Sequence, residues 1–235
     1  MVFLLKYVRY MIFTTTVLLA VVVNQITISQ FTDLNTAYIE LGQTYALIAV
    51  ALIYFALLVT PIYFVFPTLP FKPVLIKARR ALGVSAFLFA SLHVYLEFFK
   101  NFGGFSNLKY LTGIYVYAFL FGAIALFILT IMTATSFNYA VKKLGRYWKT
   151  IHRFIYLAGF LIVFHVFIIG SDFSSISDPE SWVYIFALLS LFALEFLRLD
   201  FWVVKKYPSV KPKLTATVLT LLVVFGIIVW YTFKK

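Results

Sequence analysis

The chain has no cysteine. That excludes structural disulfides, iron–sulfur clusters, thiolate-ligated haem and covalent haem attachment through C-x-x-C-H. Charge is scarce as well: only 12% of the 235 residues are Asp, Glu, Lys or Arg, while 63% are hydrophobic. A soluble domain of this length has no way to hide so much apolar surface, whereas a helical membrane protein uses lipid as its solvent. No Gly-rich dinucleotide fingerprint occurs in any basic loop, so nothing in those loops marks a nicotinamide site. The sequence shows no soluble domain, linker or low-complexity tract.

What is present is apolar and aromatic. The 28 Phe and 16 Tyr suit lipid-facing and interfacial positions. Taking about 20 residues per span, the sequence predicts an all-α polytopic bundle with seven apolar segments, near 9–27, 44–66, 82–99, 110–134, 151–170, 181–197 and 214–232. The first follows Lys6 and Arg9 without a convincing small-residue cleavage site and is read as a retained span. The seventh carries no ionisable residue before Lys234.

The net charge of +12 is not read as a nucleic-acid footprint, because the cations sit between apolar runs. The N-terminus and residues 67–81, 135–153 and 198–213 hold 2, 4, 5 and 5 Lys or Arg, which is 16 of the 20. Most acids, including Asp33, Glu40, Glu97, Asp172, Asp178 and Glu180, fall on the opposite side. The positive-inside rule then places the N-terminus in the cytoplasm and runs odd-numbered segments outward. The expected location is the cytoplasmic membrane, with lipid as the immediate partner.

Only three histidines occur, His93, His152 and His165. Two lie deep in apolar runs, where a polar side chain is costly and marks a functional site by default. Arg79 and Arg80 mark the cytoplasmic edge of segment three, and His152 marks that of segment five. The interval from Arg80 to His93 equals the interval from His152 to His165. At 1.5 Å per residue both deep histidines lie roughly 20 Å from the inner edge. Two parallel helices with imidazoles at one depth can clamp a b-type haem from both faces, an arrangement suited to an electron carrier. The competing reading is a helix-to-helix hydrogen bond.

His152 is about 220° around an ideal helix from His165, so the two share no face unless the helix is interrupted. A second, inner haem would need a ligand from segment three where Arg79 and Arg80 stand. Such a haem would take one protein ligand, or a sixth ligand from elsewhere. Otherwise His152 serves another group or is an ordinary interfacial histidine. The arginine pair, beside Lys72 and Lys77, suits a phosphate or a propionate, or it is a topogenic cluster. Glu97, one turn beyond His93, either orients a ligand or a propionate partner or sits in the outer interface. Thr60-Pro61 predicts a break or kink in segment two. Glu195 and Arg198 form an i, i+3 pair near the end of segment six. The acidic outer loop from Asp172 to Glu180 either meets a basic partner or is simply solvated.

Two stretches, ARRALGVSAFLFASLH (78–93) and TSFNYAVKKLGRYWKTIHRFIYLAGFLIVFH (135–165), resemble the ferric reductase-like transmembrane superfamily. Within it they resemble most the haem-binding membrane subunits of periplasmic methionine sulfoxide reductase systems. The shared elements are R-R-x-L-G followed by the deep His of segment three, and L-G-x-x-W-x-x-[LI]-H followed at the same interval by that of segment five. The resemblance covers about 60–165 and implies a six-helix core that carries electrons across the membrane. Residues 1–213 form the expected haem domain, with core motifs in 60–170, and 214–235 form an added helix. By position the resemblance implies His93, His152 and His165 as the haem-ligand set, with one haem b and room for a second. It implies Arg79 and Arg80 as a site for flavin mononucleotide (FMN). The implied donor is a cytoplasmic flavin reductase or quinone, and the implied acceptor an extracytoplasmic redox enzyme acting on oxidised methionine. Two other readings stay open: a direct reductase of ferric iron or oxygen at the outer surface, and a transporter or structural protein with incidental histidines.

Overall fold

The computed structural model describes residues 1–170, 179–207 and the single residue Gly226. Its elements are α1 (Val2–Gln30), α2 (Leu34–Val65), α3 (Lys72–Val94), α4 (Ile114–Ala134), α5 (Asn138–Leu144), α6 (Arg146–Arg153), α7 (Ile155–Ile169) and α8 (Pro179–Lys206). A π-helical turn, Tyr95–Asn101, continues α3, and a 3₁₀ helix, Gly104–Tyr110, follows it. Among the described residues, six helical stretches are long and apolar enough to cross a membrane; α3 with its π turn forms one, and α6 with α7 another. The protein is a helical, multi-pass membrane protein. The predicted seventh segment and the acidic loop at 171–178 lie outside the described residues.

The core is a seam between α2 and α3. Buried residues recur on α2 every three or four positions: Ala37, Leu41, Tyr45, Ala49, Ile53 and Ala56. The facing stripe on α3 is Val74, Ala78, Ala81, Ser85 and Phe89. Small side chains on both stripes let the backbones approach, which is how helices associate where lipid offers no hydrophobic contrast. A second cluster joins α2 to α4 and α7 through Leu57, Ile128, Leu129, Ile155 and Ala158.

Polar pairs add register. Thr16 on α1 donates to Ser85 on α3 at 2.7 Å, with both residues buried. Ser85→Ala is expected to cost about 0.5–1 kcal/mol, the usual worth of an interhelical hydroxyl bond, read as a lowered thermal midpoint in detergent. Tyr45 donates to the Ala20 carbonyl at 3.0 Å, and the Lys77 ammonium donates to the Leu5 carbonyl. At the start of α2, the Asp33 carboxylate accepts from the Thr36 backbone N–H at 2.9 Å and its hydroxyl at 2.8 Å. Those bonds hold Asp33 below the ordinary carboxylate range, so the cap persists at neutral pH and is lost as pH falls through that lowered value.

Helices α1 and α2 begin ahead of their apolar segments, and three others differ in ways that bear on the site. The third begins at Lys72, well ahead of the apolar run, because Pro73 suits a first helical turn; Arg79 and Arg80 therefore lie two turns inside it rather than at its edge. The sixth runs to Lys206, beyond the apolar segment, because Glu195 and Arg198 neutralise each other at 2.9 Å and the helix continues past them. The fifth is broken at Phe154, where the backbone N–H reaches Ile151 O and α6 gives way to α7.

Candidate functional site

The depth match read from the sequence is a contact in the structure. His93, in the last turn of α3, and His165, near the end of α7, face each other with ring centres 6.4 Å apart and planes at 80°. Each ring is held by a backbone carbonyl of a neighbouring helix. His93 Nδ1 is 2.9 Å from Gly42 O on α2, and His165 Nδ1 is 2.8 Å from Ala118 O on α4. A carbonyl only accepts, so each Nδ1 carries the proton and each Nε2 keeps its lone pair. A second-sphere acceptor of this kind fixes the tautomer and orientation of metal-binding histidines.

The close approach of four helices depends on glycine at two points. A Cβ at position 122 would lie 2.7 Å from His165 Nδ1 and 2.8 Å from its Cε1, so only glycine lets α4 reach the imidazole. A Cβ at position 42 would run into the Glu97 carboxyl. Sequence reasoning missed Gly42, Ala118 and Gly122. The two carbonyl contacts span 51 and 47 residues, and no local pattern signals them.

Two imidazole nitrogens bonded in line to one metal, at about 2 Å each, put the ring centres roughly 6 Å apart. The observed separation agrees. Among the described residues no cluster of three or more His, Cys, Asp or Glu exists, so a bare ion would lack a full coordination set. An iron porphyrin brings four nitrogens of its own and needs only two axial ligands. The donor set fits that group better than it fits a free ion.

The remaining site residues separate. Arg79 points to α2, where its Nε donates to Ala56 O at 3.0 Å and Nη1 to the Thr60 hydroxyl. Pro61 removes one rung of that helix, and Arg79 fastens the same turn. Arg80 points to the α4–α5 connection, donating to Ser136 O at 2.9 Å and Asn138 Oδ1 at 3.3 Å. Its guanidinium also lies 6.0 Å from the Trp148 ring. His152 stacks on Trp148 as well, with ring centres 4.0 Å apart. His152 Nδ1 is 3.1 Å from Trp148 O, and Nε2 is 3.3 Å from Ser136 Oγ. The structure thus brings Arg80 and His152 together around Ser136 and Trp148, sends Arg79 elsewhere, and keeps His152 out of the His93–His165 pair. Basic side chains continue across α5 and α6 as Lys142, Lys143, Arg146, Lys149 and Arg153.

Residues 44–164 match the family model described as ferric reductase like transmembrane component. The chain is 35% identical over 157 residues to the protein-methionine-sulfoxide reductase heme-binding subunit MsrQ of Cronobacter sakazakii, covering 66% of this chain and 74% of the relative. It is 33% identical over 134 residues to the protein of the same name in Salmonella enteritidis, covering 56% and 64%. Against the Bordetella pertussis protein, also so named, identity is 31% over 119 residues, covering 50% and 57%. For the last two, the chain spans less than two thirds of the relative's length. No solved structure matches the chain.

Proposed function

This chain belongs to the ferric reductase-like transmembrane component family, and from that premise we propose that it is a haem b electron-transfer subunit of the cytoplasmic membrane. Electrons enter from a cytoplasmic flavin or quinone donor and leave to an extracytoplasmic acceptor. The single observation that carries the reading is the facing pair His93 and His165, each with Nδ1 bound and Nε2 free. The relatives' name, a heme-binding subunit of a methionine sulfoxide reductase, supports both the cofactor and the acceptor class.

When bound, haem would supply a one-electron couple. The chain does the rest. His93 and His165 would hold its iron through their Nε2 atoms. The Gly42 and Ala118 carbonyls orient the two rings. Phe89, fully buried on α3, and Phe167, buried on α7, help keep that half of the bundle dry, which strengthens electrostatic interactions there. On the cytoplasmic side, Arg80, His152 and Trp148 form the entry point for the donor, with Arg79, the neighbour of Arg80 on α3, turned away toward α2. This is the place for FMN or for the edge of a second haem, where guanidinium and aromatic groups suit phosphate and a flat ring. The N-terminus is cytoplasmic, on the side of Lys6, Arg9, the basic α5–α6 segment and Lys205–Lys206. Residues 1–213 form the haem domain, with 60–170 as its core.

His152→Ala is expected to leave the haem held by His93 and His165 in place and to slow its reduction by cytoplasmic-side donors. Haem per chain and stopped-flow reduction in inside-out vesicles check this; loss of all haem in that variant contradicts it. The family description also favours a second reading, direct reduction of ferric chelates at the outer surface. Chemically reduced pure protein would then be reoxidised by ferric citrate with no partner present. The experiment that tests the main reading is an absorption spectrum of detergent-purified protein, before and after dithionite, with haem quantified per chain. A sharp reduced b-type α-band at one or two haems per chain is expected. A colourless protein made with ample haem contradicts the reading.

A further inference from the structure

Glu97 lies on the π-helical turn Tyr95–Asn101 that continues α3, one turn beyond His93. π turns concentrate at functional sites. Its Oε2 accepts from the Asn101 amide at 3.0 Å. Its Oε1 is buried and, among the described residues, has no hydrogen-bond partner. No cation pairs with it there: Lys100 on the same turn lies over the Tyr95 ring at 5.7 Å, and Lys109 lies over Tyr110 at 5.0 Å. The carboxyl packs on the bare Cα of Gly42, whose own carbonyl holds the His93 ring. A buried acceptor left empty is costly, and such atoms are rare in folded proteins without a ligand, ion or water to fill them.

The direction is specific. A flat macrocycle held between imidazoles on two helices that run across the bilayer lies in a plane containing the membrane normal. One edge therefore faces the nearer aqueous side. One turn of helix places Glu97 roughly 6 Å outward of His93, beside that edge. The polar substituents of haem b are two propionic acid side chains, and a carboxyl oxygen pairs with a carboxylic acid through one shared proton. We propose that Glu97 is a further binding residue of this site, and that its Oε1 takes a propionic acid side chain of the macrocycle held by His93 and His165. The inference rests on the haem reading above and adds the group that selects which edge of the macrocycle points outward.

The test uses the full-length protein in detergent with two probes, haem and haem dimethyl ester, in which both acids are masked. Haem loss is followed by transfer to apomyoglobin. Glu97→Leu is expected to lose haem about tenfold faster than the unsubstituted protein, the usual scale for a charge-assisted bond. Glu97→Gln, which keeps a hydrogen-bonding oxygen and adds a donor, stays within about threefold. With the dimethyl ester, the unsubstituted protein and Glu97→Leu should lose the porphyrin at the same rate. Glu97→Ala serves the same comparison if the leucine variant does not accumulate. The inference is overturned if leucine and alanine variants hold haem as well as the unsubstituted protein, or if their deficit persists undiminished with the ester. An unsubstituted protein that holds neither porphyrin breaks the haem reading itself, a different outcome.

Discussion

His165→Ala and His93→Ala should each weaken haem retention by more than about a hundredfold, since loss of an outer-sphere partner alone costs about 10–100-fold. The two rings face each other across 6.4 Å, and among the described residues no other histidine shares the pair, so nothing replaces a missing ligand. The loss should be specific to the cofactor. His165 lies outside the α2–α3 seam, and His93 touches it only through the Gly42 carbonyl, while the buried stripe from Ala37 to Ala56 carries the packing. His165→Met supplies the control: a thioether is a competent axial ligand and raises the potential relative to imidazole. This variant should keep haem and titrate at a more positive potential. Haem per chain and a spectroelectrochemical titration measure both, and full haem content in either alanine variant contradicts the assignment.

The second large effect comes from two glycines with opposite expectations. Gly83→Ala on α3 meets nothing within 4 Å, so removing a flexible residue from a helix should stabilise the protein by about 0.5–1 kcal/mol. Gly122→Ala on α4 makes the same helical gain, yet its Cβ would sit 2.7 Å from His165 Nδ1. The ring must turn and surrender the Ala118 carbonyl. Haem retention should then fall about 10–100-fold, as for a lost second-sphere bond, while the thermal midpoint of the haem-free protein holds or rises. If Gly122→Ala binds haem like Gly83→Ala, the carbonyl does not orient His165.

Six of the seven spans and the facing of the histidine pair were legible because they depend on composition and on equal spacing from two basic edges, the seventh lying outside the described residues. The split of Arg79 from Arg80 was legible in principle, since adjacent helical residues point about 100° apart. Other features left no local trace. The break at Phe154 has no Gly or Pro to announce it. Glu97 reads from the sequence as either a propionate partner or an interfacial residue, and only the approach of α2 at Gly42 shows that its carboxyl is packed against a helix. Gly42, Ala118 and Gly122 act on side chains far along the chain, through contacts that exist only once four helices have packed. Helix ends were misplaced at Lys72 and Lys206 because a hydropathy window stops at charge, while a helix continues when that charge is paired or reaches the interface.

The central claim is that one macrocycle is clamped between His93 and His165, and low-temperature electron paramagnetic resonance of the oxidised protein tests it most directly. Two neutral imidazoles on ferric iron give a low-spin signal, and the 80° angle between the ring planes predicts the strongly anisotropic form of that signal. The same low-spin species should persist in His152→Ala and give way to a high-spin signal, or vanish with the haem, in His165→Ala. A high-spin, singly ligated iron in the unsubstituted protein, or a low-spin signal that survives in His165→Ala, contradicts the account.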